Sequence, residues 1–227
     1  MKLILSCEHG GNEVPVKYQY LFKNNQAVLN SHKGYDLGAL DVFNALKPLS
    51  YTSFFSVESR LLIELNRSLH HKNLFSKFSK ELPLKEKESL IKSYQTYRNA
   101  IETAIKTVVD RNERVLHIAV HSFTPILNEV KRNCDIGLLY DSRKEQEKEF
   151  SRRLKREILS VNAALNVRYN NPYLGKSDGF TTHLRKQFPK NYLGIELEIN
   201  QKFSNKNKMD SFLKALIYDV LNKGISF

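Results

Sequence analysis

The chain has 227 residues, of which 41% are hydrophobic and 26% charged, with 13 phenylalanines and 11 tyrosines. That supply of apolar and aromatic side chains suits a single domain spanning 1–227 with a substantial core, and it excludes wholesale disorder. The formal net charge of +12 suggests an anionic partner, but the basic residues are scattered through KEKESLIK, KEQEKEFSRRLKRE and QKFSNKNK and mixed with Glu or Asn. A nucleic-acid-binding arm is therefore not expected.

In chain order, residues 2–6 read as a short buried strand that runs into the turn His9-Gly10-Gly11. The segment 36–47 has helical apolar spacing and stops before Pro48. TSFFSV and RLLIEL follow as two further expected strands. The stretch 84–113 carries apolar residues every three or four positions and predicts a long amphipathic helix. VLHIAV (115–120) and IGLLYD (136–141) read as strands, 143–160 as a charged helix, and 166–170 as a strand entering the loop NNPYLGKSDGF. A last strand at 193–199 and a closing helix at 205–222 complete the pattern. The alternation predicts an α/β fold, a three-layer α/β/α sandwich with a mixed, mostly parallel sheet.

Cys7 and Cys134 are far apart and adjoin apolar runs, so two buried free thiols in a reducing cytoplasm are expected. MKLILSC has only about four apolar residues, against the roughly seven to fifteen of a signal peptide. No stretch approaches the ~18 apolar residues of a membrane span. A soluble cytoplasmic protein is the expectation.

Three apolar runs end on residues that can bind or work beside a metal: His9, His121, and the pair Glu196 and Glu198. In a largely parallel sheet such strand ends open onto one edge, so three distant segments can meet in one cleft. His117 shares the face of His121 but lies deeper, and reads as a satisfied core residue. A catalytic zinc needs a third protein ligand. Glu8, Glu13 and Asp36 are the candidate carboxylates. Glu8 adjoins His9 and is expected to point to the opposite face, whereas Asp36 could equally be an ordinary helix N-cap. Glu196 and Glu198, two apart on one strand, face the same side, and a buried pair of this kind calls for a cation. Either could act as a general base. Arg60 and Arg67 bracket RLLIEL, and Arg67 beside Asn66 is suited to grip a substrate carboxylate. Ser122 and the pair Thr181-Thr182 could supply hydrogen bonds. No G-x-S-x-G elbow, phosphate loop, dinucleotide fingerprint, paired C-x-x-C or H-E-x-x-H is present.

The blocks SCEHGGNEVP, HKGYDLGAL, SRLLIELNRS, VHSFTP, NNPYLGKSDGFTTHLR and GIELEINQ stand in the order found in the N-formylglutamate amidohydrolases, with more distant similarity to zinc carboxypeptidases. The resemblance implies a phosphorylase/hydrolase-like fold and metal-dependent cleavage of an amide bond. It further implies one zinc held by His9, Asp36 and His121, with Glu13 as the alternate ligand. The base falls at Glu198, with Glu196 where relatives often have Gln. Arg60, Asn66, Arg67 and Thr182 fall at substrate positions. The implied partner is a small anionic N-acyl amino acid. A carboxypeptidase-like peptidase of the same fold and a non-enzymatic basic binding protein are the competing readings.

Overall fold

The computed structural model describes residues 1–225. Among the described residues ten strands form: β1 (Lys2–Cys7), β2 (Thr52–Phe55), β3 (Val115–Phe123), β4 (Ile126–Leu127), β5 (Val130–Lys131), β6 (Ile136–Leu139), β7 (Val167–Tyr169), β8 (Tyr192–Asn200), β9 (Ser204–Asn205) and β10 (Lys208–Met209). The α-helices are α1 (Gln26–Leu29), α2 (Ala39–Leu46), α3 (Leu84–Val109), α4 (Glu145–Val161), α5 (Phe180–Gln187) and α6 (Ser211–Ile225).

Six strands make one sheet in the order β2-β1-β3-β8-β6-β7. All neighbours pair in parallel except β6 and β8, which are antiparallel. Its central strands are buried on both faces: all nine residues of β3 are inaccessible, which is why they read as nearly unbroken apolar runs. One face is wholly hydrophobic, with Leu116, Ile118, Val120, Leu193, Ile195 and Leu197 packed beneath α2, α4 and α6. The other lies under α3 and α5, where Ile101, Ile105, Phe180 and Leu184 cover Ile4, Val115 and Tyr192. The result is the expected α/β/α sandwich with a mixed, mostly parallel sheet.

The long helix forms as its periodicity predicts: it starts after Pro83 and buries Leu90, Tyr94, Arg98, Ile101, Ile105 and Val108 along one stripe. Several segments depart from expectation. RLLIEL is a series of turns and not a strand. Its Leu62, Ile63 and Leu65 are buried against Tyr18, Phe22, Leu74 and the start of α3, so the apolar run is satisfied by a loop cluster beside the sheet. Residues 204–209 form the β9–β10 hairpin, and the closing helix begins only at Ser211. Helix α5 has no counterpart in the expected elements. Its first half, Phe180 to His183, is poor in strong helix formers, and burial of Phe180, Thr181 and Leu184 holds it in place.

Candidate active site

The register of the sheet sets the site. Ser6 aligns with Ala119, Ala119 with Glu196, and His121 with Glu198, so the C-terminal ends of β1, β3 and β8 lie side by side. By the period of two, His117 and His121 share the α3–α5 face with Glu196 and Glu198. His9 lies just beyond β1, in a turn pressed against the chain that follows β2. A Cβ on Gly11 would come within 2.5 Å of the Val57 carbonyl oxygen, so only glycine permits this approach.

His9, Asp36 and His121 are all buried, and their donor atoms lie within 4.8 Å of one another, a cluster able to hold a metal ion. The Asp36 amide donates to the His9 carbonyl at 2.9 Å, which brings the loop before α2 onto the end of β1. Its carboxylate then lies between the imidazoles, with Oδ2 at 3.3 Å from His9 Nδ1 and 2.9 Å from His121 Nδ1. The N-cap of α2 is Gly38, so Asp36 does not cap that helix. Glu13 is exposed and pairs through its backbone with Glu58, outside the cluster.

Glu8 departs from its expected orientation. It is buried, and its Oε2 lies 3.2 Å from Nε2 of His121. Strand alternation ends at Cys7, so the turn that follows, not the pleat, directs residues 8 and 9. Glu64 is a further functional candidate, brought to the cluster because RLLIEL forms turns in place of the expected strand. The only signal was its place as the acid in SRLLIELNRS. It makes a short contact with His9 Nε2, and Arg60 donates from Nε to its other oxygen at 2.8 Å. Arg60 also donates from Nη1 to Asp36 at 3.2 Å.

The electrostatics follow from this packing. Burial and Arg60 push the His9 pKa down, but Glu64 and Asp36 outweigh them and raise it. His121 is raised well above its usual value because Asp36 and Glu8 overcome its burial. Asp36 and Glu64 are held well below the carboxylate range, where burial is outweighed chiefly by His9 and His121 for Asp36 and by Arg60 and His9 for Glu64. Glu198 moves the other way. Burial, with Asp36 and Glu196 nearby, pushes its carboxyl up to about 8 despite His121 and Arg60. Its Oε2 is buried without a hydrogen-bond partner. Glu196 accepts the Thr181 hydroxyl at 2.6 Å.

His9, Asp36, Arg60, His121, Glu196 and Glu198 line a cleft of about 260 Å³ whose walls include Asn66, Arg67, Tyr173, Leu174 and Asp178. Larger grooves of 440 and 510 Å³ border α4 and contain none of the candidate residues. Arg67 faces the cleft and donates to the Asp178 carbonyl, while Asn66 Oδ1 accepts the Phe180 amide at 2.7 Å. Thr182 requires correction: it does not line the cleft, and its hydroxyl donates to the Ser177 carbonyl at 2.7 Å. The helical turn at α5 instead directs Thr181 to Glu196. His117 is a core residue as expected, between Ser6 Oγ and Tyr192 Oη at 2.8 Å each, and burial lowers its pKa to about 4. Cys7 and Cys134 are buried and unpaired. Among the described residues no helix is long and apolar enough to cross a membrane.

The model of the N-formylglutamate amidohydrolase family matches residues 1–204. The chain belongs to this family of amide-bond hydrolases. No curated protein gives a significant match. Among solved structures, a gene product of Agrobacterium tumefaciens is similar at 23% identity and a TM-score of 0.81, over 99% of this chain and 90% of that one. The N-formylglutamate amidohydrolase of Ralstonia eutropha is similar at 14% identity and a TM-score of 0.70, over 99% and 91%. These likenesses establish the shared fold.

The donor set of the cluster fits zinc chemically. Two imidazoles and one carboxylate are a common catalytic zinc set, and each imidazole has a further carboxylate at its far nitrogen.

Proposed function

We propose that this protein is a zinc-dependent amidohydrolase of the cytoplasm, a single catalytic domain that cleaves the amide bond of an N-acyl amino acid such as N-formylglutamate. The observation that carries this reading is the His9–Asp36–His121 cluster in the same cleft as Glu198, a buried carboxyl group with an unpartnered oxygen. When bound, zinc would supply Lewis acidity and lower the pKa of water toward ~7.

The remaining steps belong to the chain. Glu198 accepts the proton of the attacking water and returns it to the leaving amine nitrogen. Its raised pKa reflects burial beside Asp36 and Glu196, and a cation in the neighbouring cluster would favour its carboxylate form. Arg60 is engaged with Glu64 and Asp36 and holds both in place, so it contacts substrate only with its remaining N–H groups. Arg67 and Asn66, on the cleft wall, take the substrate carboxylate. A cleft of this size favours a small N-acyl amino acid over a peptide.

Elemental analysis of the purified protein tests the metal, with about one zinc per chain expected. Parallel assays on formylated, acetylated and peptidyl substrates test the reaction. Faster turnover of peptides would favour the carboxypeptidase-like reading, and a metal-free protein inert towards every amide would favour the basic binding protein.

A further inference from the structure

Both imidazoles of the cluster meet carboxylates at both of their nitrogens. Asp36 lies at Nδ1 of each. At the far side His9 meets Glu64, and His121 meets Glu8. Glu8 thus neighbours one histidine in sequence and meets the other in space. Its carboxylate is buried, where an unpartnered charge is strongly disfavoured. Oε1 accepts the Tyr97 hydroxyl at 3.2 Å. Oε2 lies 3.2 Å from His121 Nε2, within ion-pair distance but without the alignment of a hydrogen bond. Tyr97 belongs to α3, so the carboxylate is braced from the helix layer as well as from the sheet.

We infer that Glu8 is a positioning residue that holds His121 in the tautomer with its proton on Nε2, leaving the Nδ1 lone pair for a metal ion beside Asp36. An imidazole carries its single neutral-state proton on one nitrogen, and an acceptor at Nε2 selects that one. Outer carboxylates of this kind also raise ligand basicity, and their loss weakens metal binding by about ten- to a hundredfold. The inference rests on the zinc reading above.

Zinc dissociation constants measured by chelator competition test it on the wild type, Glu8→Leu, which removes the acceptor, and the exposed control Glu13→Leu. The expected result is about ten- to a hundredfold weaker binding for Glu8→Leu only. Unchanged affinity in a folded Glu8→Leu, or an equal loss in Glu13→Leu, overturns the assignment while zinc binding by the wild type stands. Long-range nitrogen–proton NMR of the zinc-loaded wild type gives an answer that does not depend on any variant folding. A proton on Nε2 of His121 and none on Nδ1 supports the assignment, and the reverse overturns it. A wild type that takes up no zinc removes the metal reading itself, and this inference with it.

Discussion

Glu196 and Glu198 differ by two positions and share a strand face, yet their surroundings separate them. Glu196 accepts a hydroxyl from Thr181, whereas Glu198 is buried with one oxygen unpartnered and its pKa pushed up to about 8. Replacing Glu198 with Gln is expected to cut turnover by roughly a hundredfold or more while zinc content stays at the wild-type level, measured by steady-state kinetics and metal analysis. Turnover near normal would remove Glu198 from the chemistry. Arg60 raises a different question, because it neutralises two buried carboxylates. In metal-free protein, Arg60→Met should cost about 3 kcal/mol in urea unfolding, since breaking such a pair strands the remaining charge. Saturating zinc should recover part of that loss by compensating Asp36.

At the scale of elements, Asp41 on α2 ties together the late segments of the chain. Its carboxylate accepts from Lys208 at 3.2 Å, from the Met209 amide at 3.0 Å and from Lys214 at 2.6 Å, and so joins α2 to β10 and α6. Burial pushes its pKa up, but Lys214, the Met209 amide and Lys208 outweigh burial and depress it. A depressed folded-state pKa contributes stability that is present above the unfolded value of about 3.9 and is lost as pH falls through the folded value. Asp41→Asn is therefore expected to lower stability by about 1 kcal/mol at pH 7. The gap from wild type should narrow below about pH 4. Urea titrations of both proteins at the two pH values check the sign. The loop before α5 shows the same dependence on distant contacts: Arg185 donates to the carbonyls of Gly175 and Gly194 at 2.7 Å each and pairs with Glu147, which anchors the cleft wall to β8.

For the whole molecule, the excess of positive charge is a surface property, while the cleft combines Arg60 and Arg67 with four carboxylates. Metal binding should couple to global stability, because the cluster joins β1, the loop before α2 and β3. Zinc at a thousandfold excess over its Kd is expected to add about 4 kcal/mol, and a chelator should lower the Tm accordingly in differential scanning calorimetry. An unchanged Tm would count against a native zinc site. Duplex DNA titrated at physiological salt should show little binding, in contrast to the steep salt-dependent binding a basic nucleic-acid protein would give.

The sequence by itself determined the buried strands, the long helix and the residues at the strand ends, because a strand covered on both faces must be apolar throughout and a half-buried helix must repeat every three or four residues. It therefore made His9, His121, Glu196 and Glu198 legible as neighbours, and the order of the blocks pointed to the family. Tertiary structure alone decided that Asp36 meets both imidazoles, that Glu13 does not, that Glu8 turns back to His121, and that Glu64 joins the cluster from a loop. It also decided that Thr181, and not Thr182, reaches β8. The first four share a physical reason: outside regular elements no period sets where a side chain points. Contacts with residues distant in sequence direct it instead.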